Sequence, residues 1–337
     1  MLNKRLIIGT TAATFKSGGI PSFINELKTR SDYQDSVFLE WNKSCKPNEI
    51  NFGYITSNKF LKFFITQIKV FLCCFKFRNI EVHSIRTGFI ALLLFKKKCS
   101  FFYHGPGFQE YAVEGASTIT KILIYIVESL CLSKLNRYFT ASNFFKYRLR
   151  ENHGIPLNNI FVIRPTPSIN RERYLFKLNE KLEKYQNTNI IICIICRRLI
   201  QRVGILEFIN EFEKIENNQN FLINIVGHGP LSDEINLKCK NLKNVIFHGE
   251  LRNESRDELY SDSLLNIVPS THLEGLGMVI LEGIKHGSMP LVTNCGGMPE
   301  YLSELNVGKV FNDSKDIVTN LDIDLIINEL EKQNKII

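Results

Sequence analysis

From residue 189 onward, apolar and polar positions follow one another in blocks. An unbroken apolar run over 190–196 precedes apolar residues at helical spacing over 206–216. The succession then repeats, with apolar runs at 221–226, 244–247, 264–268 and 289–293 and helical spacing at 231–242, 254–262 and 277–285. Short, mostly apolar runs predict strands buried on both faces, and apolar residues three and four apart predict amphipathic helices. Strands alternating with helices predict a parallel sheet covered on both sides, with ligands at the carboxyl ends of its strands. The first half is less regular but of the same kind. Residues 6–9, 80–83 and 100–104 read as strands, the last two ending in His83 and His104. Residues 20–29 and 119–133 read as helices, and no internal repeat or low-complexity tract breaks the pattern.

A chain of 337 residues is too long for one ordinary core and predicts two domains. The boundary is placed at Pro165 and Pro167, because two prolines so close continue neither a helix nor a central strand. This gives α/β domains at 1–165 and 166–337. The composition, 44% hydrophobic and 23% charged, excludes disorder. No stretch has the ~20 apolar residues of a membrane-spanning helix. Lys4 and Arg5 precede a short apolar run broken by threonines, which reads as a first strand and loop rather than a signal peptide. The net charge of +8 favours anionic partners, whether nucleotide phosphates, lipid surfaces or nucleic acid. Nine irregularly spaced cysteines point to a reducing, cytoplasmic setting. Cys193 and Cys196 lie within an apolar run with no second pair to complete a zinc site, so they read as core thiols.

Chemistry concentrates at 269–282. A strand ends at Pro269, a loop carries Glu274, Gly275, Leu276 and Gly277, and a helix starting near Gly277 carries Glu282. Glycines let backbone N–H groups approach an anion, and a helix N-terminus favours negative charge. The two carboxylates, spaced ~12 Å along an ideal helix, suit hydroxyls at the two ends of a diphosphate flanked by sugars. Taken alone the pair is equally an ordinary helix start with a solvated glutamate. Pro269-Ser270 before it, and Gly296-Gly297-Met298-Pro299-Glu300 after it, favour the site.

With Gly287 and Pro290, these motifs resemble the signature of family-4 glycosyltransferases, of the glycosyltransferases group 1 type. The resemblance extends over nearly the whole chain. Gly18-Gly19-Ile20-Pro21 is similar to the family's N-terminal glycine loop, and Gly227-His228-Gly229-Pro230 to its strand-to-helix turn. His248-Gly249-Glu250-Leu251 resembles the loop that meets the nucleotide base, and His104-Gly105-Pro106 with Glu110 and Glu114 resembles one branch. The resemblance implies a GT-B fold, two Rossmann-like domains with parallel sheets facing a central cleft. The first would take the acceptor and the second the nucleotide sugar. It implies a retaining transfer from a UDP- or GDP-sugar to a saccharide or lipid-linked acceptor, in cell-surface polysaccharide synthesis (capsule, O-antigen or lipopolysaccharide), with no metal or other cofactor. Glu282 would hold the ribose and Glu274 the donor sugar. The backbone of Gly275, Leu276, Gly277, Met278 and Val279 would cradle the distal phosphate and sugar, and Glu250 and Leu251 would meet the base.

A departing diphosphate needs a metal or fixed cations. Family-4 enzymes use an arginine and a lysine after the first strand of the second domain. Arg198 stands at the arginine position, Val203 at the lysine position, and Arg202 one residue earlier is the substitute cation. Asp322 and Asp324 form an Asp-x-Asp, read as chance in a tail without strand or glycine. His104 is expected at the reacting centre with Glu274 and Arg198; His83 is as well explained as a core histidine. Residues 59–76 mix lysines with aromatics, Lys62, Lys69 and Lys76 recurring every seven positions. That is either a core helix with a basic outer face or an interfacial helix on an anionic membrane. Competing functions are a nucleotide-sugar epimerase of the same fold and a non-catalytic nucleotide-sugar binding protein. No zinc finger or RNA-binding aromatic signature supports nucleic acid.

Overall fold

The computed structural model describes residues 4–9, 19–40, 49–51, 58–113, 115–164, 171–188, 190–215, 218–321 and 327–328. The chain divides into two compact units, Met1–Thr166 and Pro167–Ile337. Pro165, Pro167, Asp322 and Asp324 lie outside the described residues.

The first unit holds β1 (Arg5–Ile8), β2 (Val37–Glu40), β3 (Glu49–Asn51), β4 (Asn79–Val82), β5 (Cys99–Tyr103), β6 (Arg137–Thr140) and β7 (Ile160–Val162). They form one parallel sheet in the order β3-β2-β1-β4-β5-β6-β7. Helices α1 (Gly19–Leu27), α2 (Lys59–Lys76), α3 (Ile85–Leu94), α4 (Gly107–Val113), α5 (Thr118–Leu132) and α6 (Asn143–His153) connect them. Leu6, Ile8, Val82, Phe101 and Tyr103 are buried in one core, as a sheet covered on both faces requires.

Two helices depart from the usual pattern of a buried stripe and a polar exterior. α2 starts because Asn58 caps it, its side chain accepting from the amides of Phe60 and Leu61 at 3.0 and 3.2 Å. It turns Val70, Cys73 and Cys74 inward, and Gln67 ties it to α3 by accepting from the Ile90 amide at 3.0 Å. Its outward stripe is Phe60, Phe64, Ile68, Leu72 and Phe75, all exposed. Lys62 and Lys69 are half-buried beside it and Lys76 is exposed at its end, so the outer face is chiefly apolar with basic residues at its margin. α5, capped by Ser117, likewise buries Cys131 and Leu132 and exposes Ile119, Ile122, Leu123, Ile126 and Leu130. Both helices pack on α3, itself ending in the exposed Leu94.

The second unit opens with α7 (Arg171–Thr188), a helix outside the elements read from the sequence. The helix forms because Tyr174, Leu178, Lys181 and Tyr185 share a buried stripe. Lys181 snorkels inward and donates to the carbonyls of Tyr260 and Ser263 at 2.8 and 2.7 Å. The strands β8 (Ile191–Cys196), β9 (Phe221–Val226), β10 (Val245–Gly249), β11 (Leu265–Val268), β12 (Met289–Thr293) and β13 (Lys309–Phe311) run parallel in the order β10-β9-β8-β11-β12-β13. Helices α8 (Ile205–Phe212), α9 (Ser232–Cys239), α10 (Asn253–Asp262), α11 (Met278–Lys285), α12 (Met298–Leu305) and α13 (Ser314–Thr319) alternate with them. Cys193 and Cys196 are buried free thiols, and burial pushes Cys196 up to about 11. Among the described residues no group of side chains could hold a metal ion, and no helix is long and apolar enough to cross a membrane.

Candidate functional site

The strand order of the second sheet reverses between β8 and β11, which lie side by side. In doubly wound sheets the loops leaving two such strands diverge and open a crevice. Here those loops are 197–204 and 269–277, and backbone bonds join them. The amides of Thr271 and His272 donate to the Arg202 carbonyl at 3.0 and 3.4 Å, and Arg202 Nη1 donates to the Leu273 carbonyl at 3.3 Å. Gly204, at φ +73°, makes the approach possible: a Cβ there would lie 1.9 Å from the Pro269 carbonyl oxygen. The Gly227–Gly229 turn braces the first loop from the other side. Leu199 donates its amide to the His228 carbonyl at 3.1 Å, and Leu231 donates to the Leu199 carbonyl at 3.1 Å.

Glu274 sits at the centre of this arrangement. One carboxylate oxygen accepts from Arg197 Nη2, the other from the Gly277 amide at 3.0 Å. Burial alone would push the carboxyl up, but Arg197 and Arg202 together outweigh it and hold Glu274 below its ordinary value. Behind it the Gly297 amide donates to the Glu274 carbonyl at 2.9 Å. Gly296 approaches so closely, at φ +62°, that a Cβ would stand 1.8 Å from that oxygen. The downstream double glycine thus fixes the backbone of Glu274. Arg197 Nη1 and Ser270 Oγ are buried and have no hydrogen-bond partner among the described residues. Unmatched donors in a crevice that also holds a guanidinium suit an anionic ligand.

Arg197 was not among the residues expected from the sequence. Successive positions after a strand point to opposite sides, so one of Arg197 and Arg198 had to face Glu274. The structure gives that place to Arg197, while Arg198 is exposed and makes no side-chain hydrogen bond or ion pair among the described residues. Val203 is buried in the core, and Arg202 is half-buried against the 269–277 loop.

Glu274 lies before the helix rather than on it, since α11 begins at Met278, so the ideal-helix spacing to Glu282 does not apply. Gly277, in the left-handed region at φ +75°, ends the loop. Gly275 and Leu276 complete the turn, and Leu276 is buried. The amides of Met278 and Val279 belong to the first turn and have no carbonyl one turn back to donate to. Glu282 is half-buried, with Tyr260 donating at 3.4 Å. Burial outweighs the nearby Arg256 and raises its carboxyl above the ordinary value. Glu250 is exposed after β10, and Leu251 packs on Ile194, Cys196, Val226 and Tyr260.

In the first unit, His83 and His104 follow β4 and β5 directly. His83 Nδ1 and His104 Nε2 lie 3.0 Å apart, and His83 Nε2 is 2.9 Å from Glu81 Oε1. His83 is buried and His104 half-buried, and Phe102 stacks on both rings. Burial, then the neighbouring His83, push His104 well below its ordinary value. Gly19 begins α1; Gly18 and Glu114 lie outside the described residues.

Residues 176–337 match the family described as "Glycosyl transferases group 1". Among curated proteins no sequence matches the chain. Solved structures similar to it include a glycosyltransferase from Rickettsia africae, with TM-score 0.63 and 18% identity, covering 99% of this chain and 93% of that one. Anabaena HepE, solved with UDP and glucose, gives TM-score 0.70 at 12% identity over 99% and 94% of the two chains. WaaG, a glycosyltransferase involved in lipopolysaccharide biosynthesis, gives 0.70 at 14% identity over 98% and 94%. The fold is that of the GT-B glycosyltransferases, two parallel-sheet α/β domains. Residues 176–337 are a glycosyl transferases group 1 domain, and the chain is a glycosyltransferase.

Proposed function

We propose that this enzyme transfers a sugar from a nucleotide diphosphate donor, with retention, to a saccharide or lipid-linked acceptor of a cell-surface polysaccharide. The observation that carries the reading is the crevice at the β8/β11 reversal. There Glu274 and its arginine partner lie at the N-terminus of α11, next to the exposed Arg198. In this reading Arg198 and Arg202, with the first-turn amides of α11, take the charge that develops on the diphosphate as its bond to the sugar breaks. Glu274 meets the sugar, Glu282 the ribose, and the backbone at Glu250 and Leu251 the base. The acceptor hydroxyl attacks from the side the diphosphate leaves, its proton passes to the departing phosphate oxygen, and the configuration is kept. No metal is required in this scheme, because fixed cations supply the charge. HepE, solved with UDP, supports UDP-sugars as the first donors to try.

The outer faces of α2 and α5 complete the proposal. Their apolar stripes, beside Lys76, Lys97 and Lys134 in a chain of net charge +8, suit the inner, anionic surface of a membrane carrying a lipid-linked acceptor. The donor reading is tested with the full chain and a panel of UDP-, GDP- and ADP-sugars, scored by thermal shift. One nucleotide class should raise Tm with concentration, and the shift should vanish in Arg198→Ala. No shift with any of the three counts against the reading.

A further inference from the structure

The two histidines at the ends of β4 and β5 continue inward as a chain of side chains. His104 Nε2 meets His83 Nδ1 at 3.0 Å, and His83 Nε2 meets Glu81 Oε1 at 2.9 Å. Glu81 is almost wholly buried, 1% exposed, and both Tyr33 and Arg5 donate to its carboxylate. Tyr33 Oη lies 3.0 and 3.2 Å from its two oxygens, and Arg5 Nη1 lies 3.3 Å from Oε2. The rings have little freedom to turn. Phe102 stacks against both at centroid distances of 4.9 and 4.8 Å, and Phe23 meets His104 edge-on at 5.1 Å.

A carboxylate surrounded by donors only accepts, so the proton on the His83 side of the Glu81 contact sits on His83 Nε2. Arg5 already supplies the countercharge to Glu81, and a second buried cation at His83 would have no anion left to pair with. A neutral His83 protonated on Nε2 presents a bare Nδ1. The 3.0 Å contact then requires the proton of His104 to be on Nε2. We propose that Glu81 and His83 are positioning residues that lock His104 in this tautomer, so that its Nδ1 is an acceptor for a substrate hydroxyl. His104 then receives a hydrogen bond from a sugar or acceptor hydroxyl and does not donate one to a ring or phosphate oxygen. Burial, which disfavours the imidazolium, keeps that lone pair free near neutral pH. The part played by His104 toward substrate rests on the transferase reading above; the tautomer does not.

The test is a long-range proton–nitrogen NMR correlation on the full chain labelled with nitrogen-15 histidine, at pH 7 and without ligand. Expected are neutral rings at His83 and His104, each with the proton on Nε2, assigned by His83→Phe and His104→Phe. A proton on His104 Nδ1, or a doubly protonated His83, overturns the proposal in the wild-type protein, whatever becomes of the variants. In folded His83→Phe, the packing ring is kept and the link is cut, so His104 should show a mixture of tautomers. A single Nε2-protonated form persisting there would show that the chain does not set it. With the donor found by the nucleotide panel, His83→Phe should lower kcat about tenfold while the donor KM moves less than twofold. A fall in donor affinity alone would contradict a role confined to orienting His104. A panel with no binder leaves the tautomer measurement standing, so the two readings fail separately.

Discussion

Arg197 and Glu274 form the pair on which the crevice turns. Both are largely buried, with 9% and 14% of their side chains exposed. Removing one partner of a buried pair strands the other, at a cost of about 3–5 kcal/mol. Arg197→Met should therefore destabilise the protein by that order at pH 7, measured by urea unfolding, and Arg197→Met combined with Glu274→Gln should recover much of it. Because Glu274 is held below its ordinary 4.5, its contribution is complete above that value and is lost as pH falls through the lower folded value. Glu282 has the opposite sign. Its folded carboxyl titrates above 4.5, so the ionised group costs stability as pH rises from 4.5 through the folded value. Glu282→Gln should raise Tm at pH 7 by about 2 °C or more, leave it unchanged near pH 4, and weaken nucleotide-sugar binding. A lower Tm at pH 7 would show that the carboxylate is held more favourably than burial implies.

At the level of elements, the crevice is an assembly of loops that touch through backbone. The turn after β12 supports Glu274 only because Gly296 has no side chain. Gly296→Ala must displace either a positive-φ backbone or the Glu274 carbonyl, so it should cost about 2 kcal/mol or more. Thermal denaturation would measure that cost, and donor binding should weaken with it. Wild-type stability in Gly296→Ala would mean the two loops are not held in this contact. The spacing of motifs made these loops legible: Gly-x-Gly after one strand, the Gly-Gly-x-Pro turn after another. It did not say which arginine faces Glu274, because one position of strand phase separates Arg197 from Arg198. α7 was missed for a related reason: its buried stripe includes Lys181, which composition counts as polar.

For the whole molecule, the unusual property is the apolar exterior of α2 and α5. A stripe such as Phe60, Phe64, Ile68, Leu72 and Phe75 reads as a core face by its spacing, yet the core lies on the other side of the helix. Single exposed apolar residues need no explanation, but two helices packed on the same α3 and carrying such stripes mark an interaction surface. On the membrane reading, wild-type protein co-floats with vesicles containing anionic lipid. Ile68→Glu with Ile122→Glu should reduce that binding at least about tenfold, since each buried aliphatic side chain contributes roughly 1.5–3 kcal/mol. Both positions are exposed, so the fold should be unaffected. Wild-type protein left at the bottom of the gradient would rule this surface out as a membrane contact.

The sequence by itself determined the class of the fold, the alternation of the second unit and the location of the site loop. Those depend on the period of apolar residues and on glycines whose backbone demands are local. Tertiary structure alone decided that Arg197 pairs with Glu274, that Val203 lies in the core, and that Glu81, His83 and His104 form one chain. The Arg197–Glu274 and His83–His104 contacts each join the ends of different strands or the loops after them, so sheet order and register create them. The outward direction of the α2 stripe was decided in the same way, because a helical pattern shows that a face is apolar and only packing shows which face is covered.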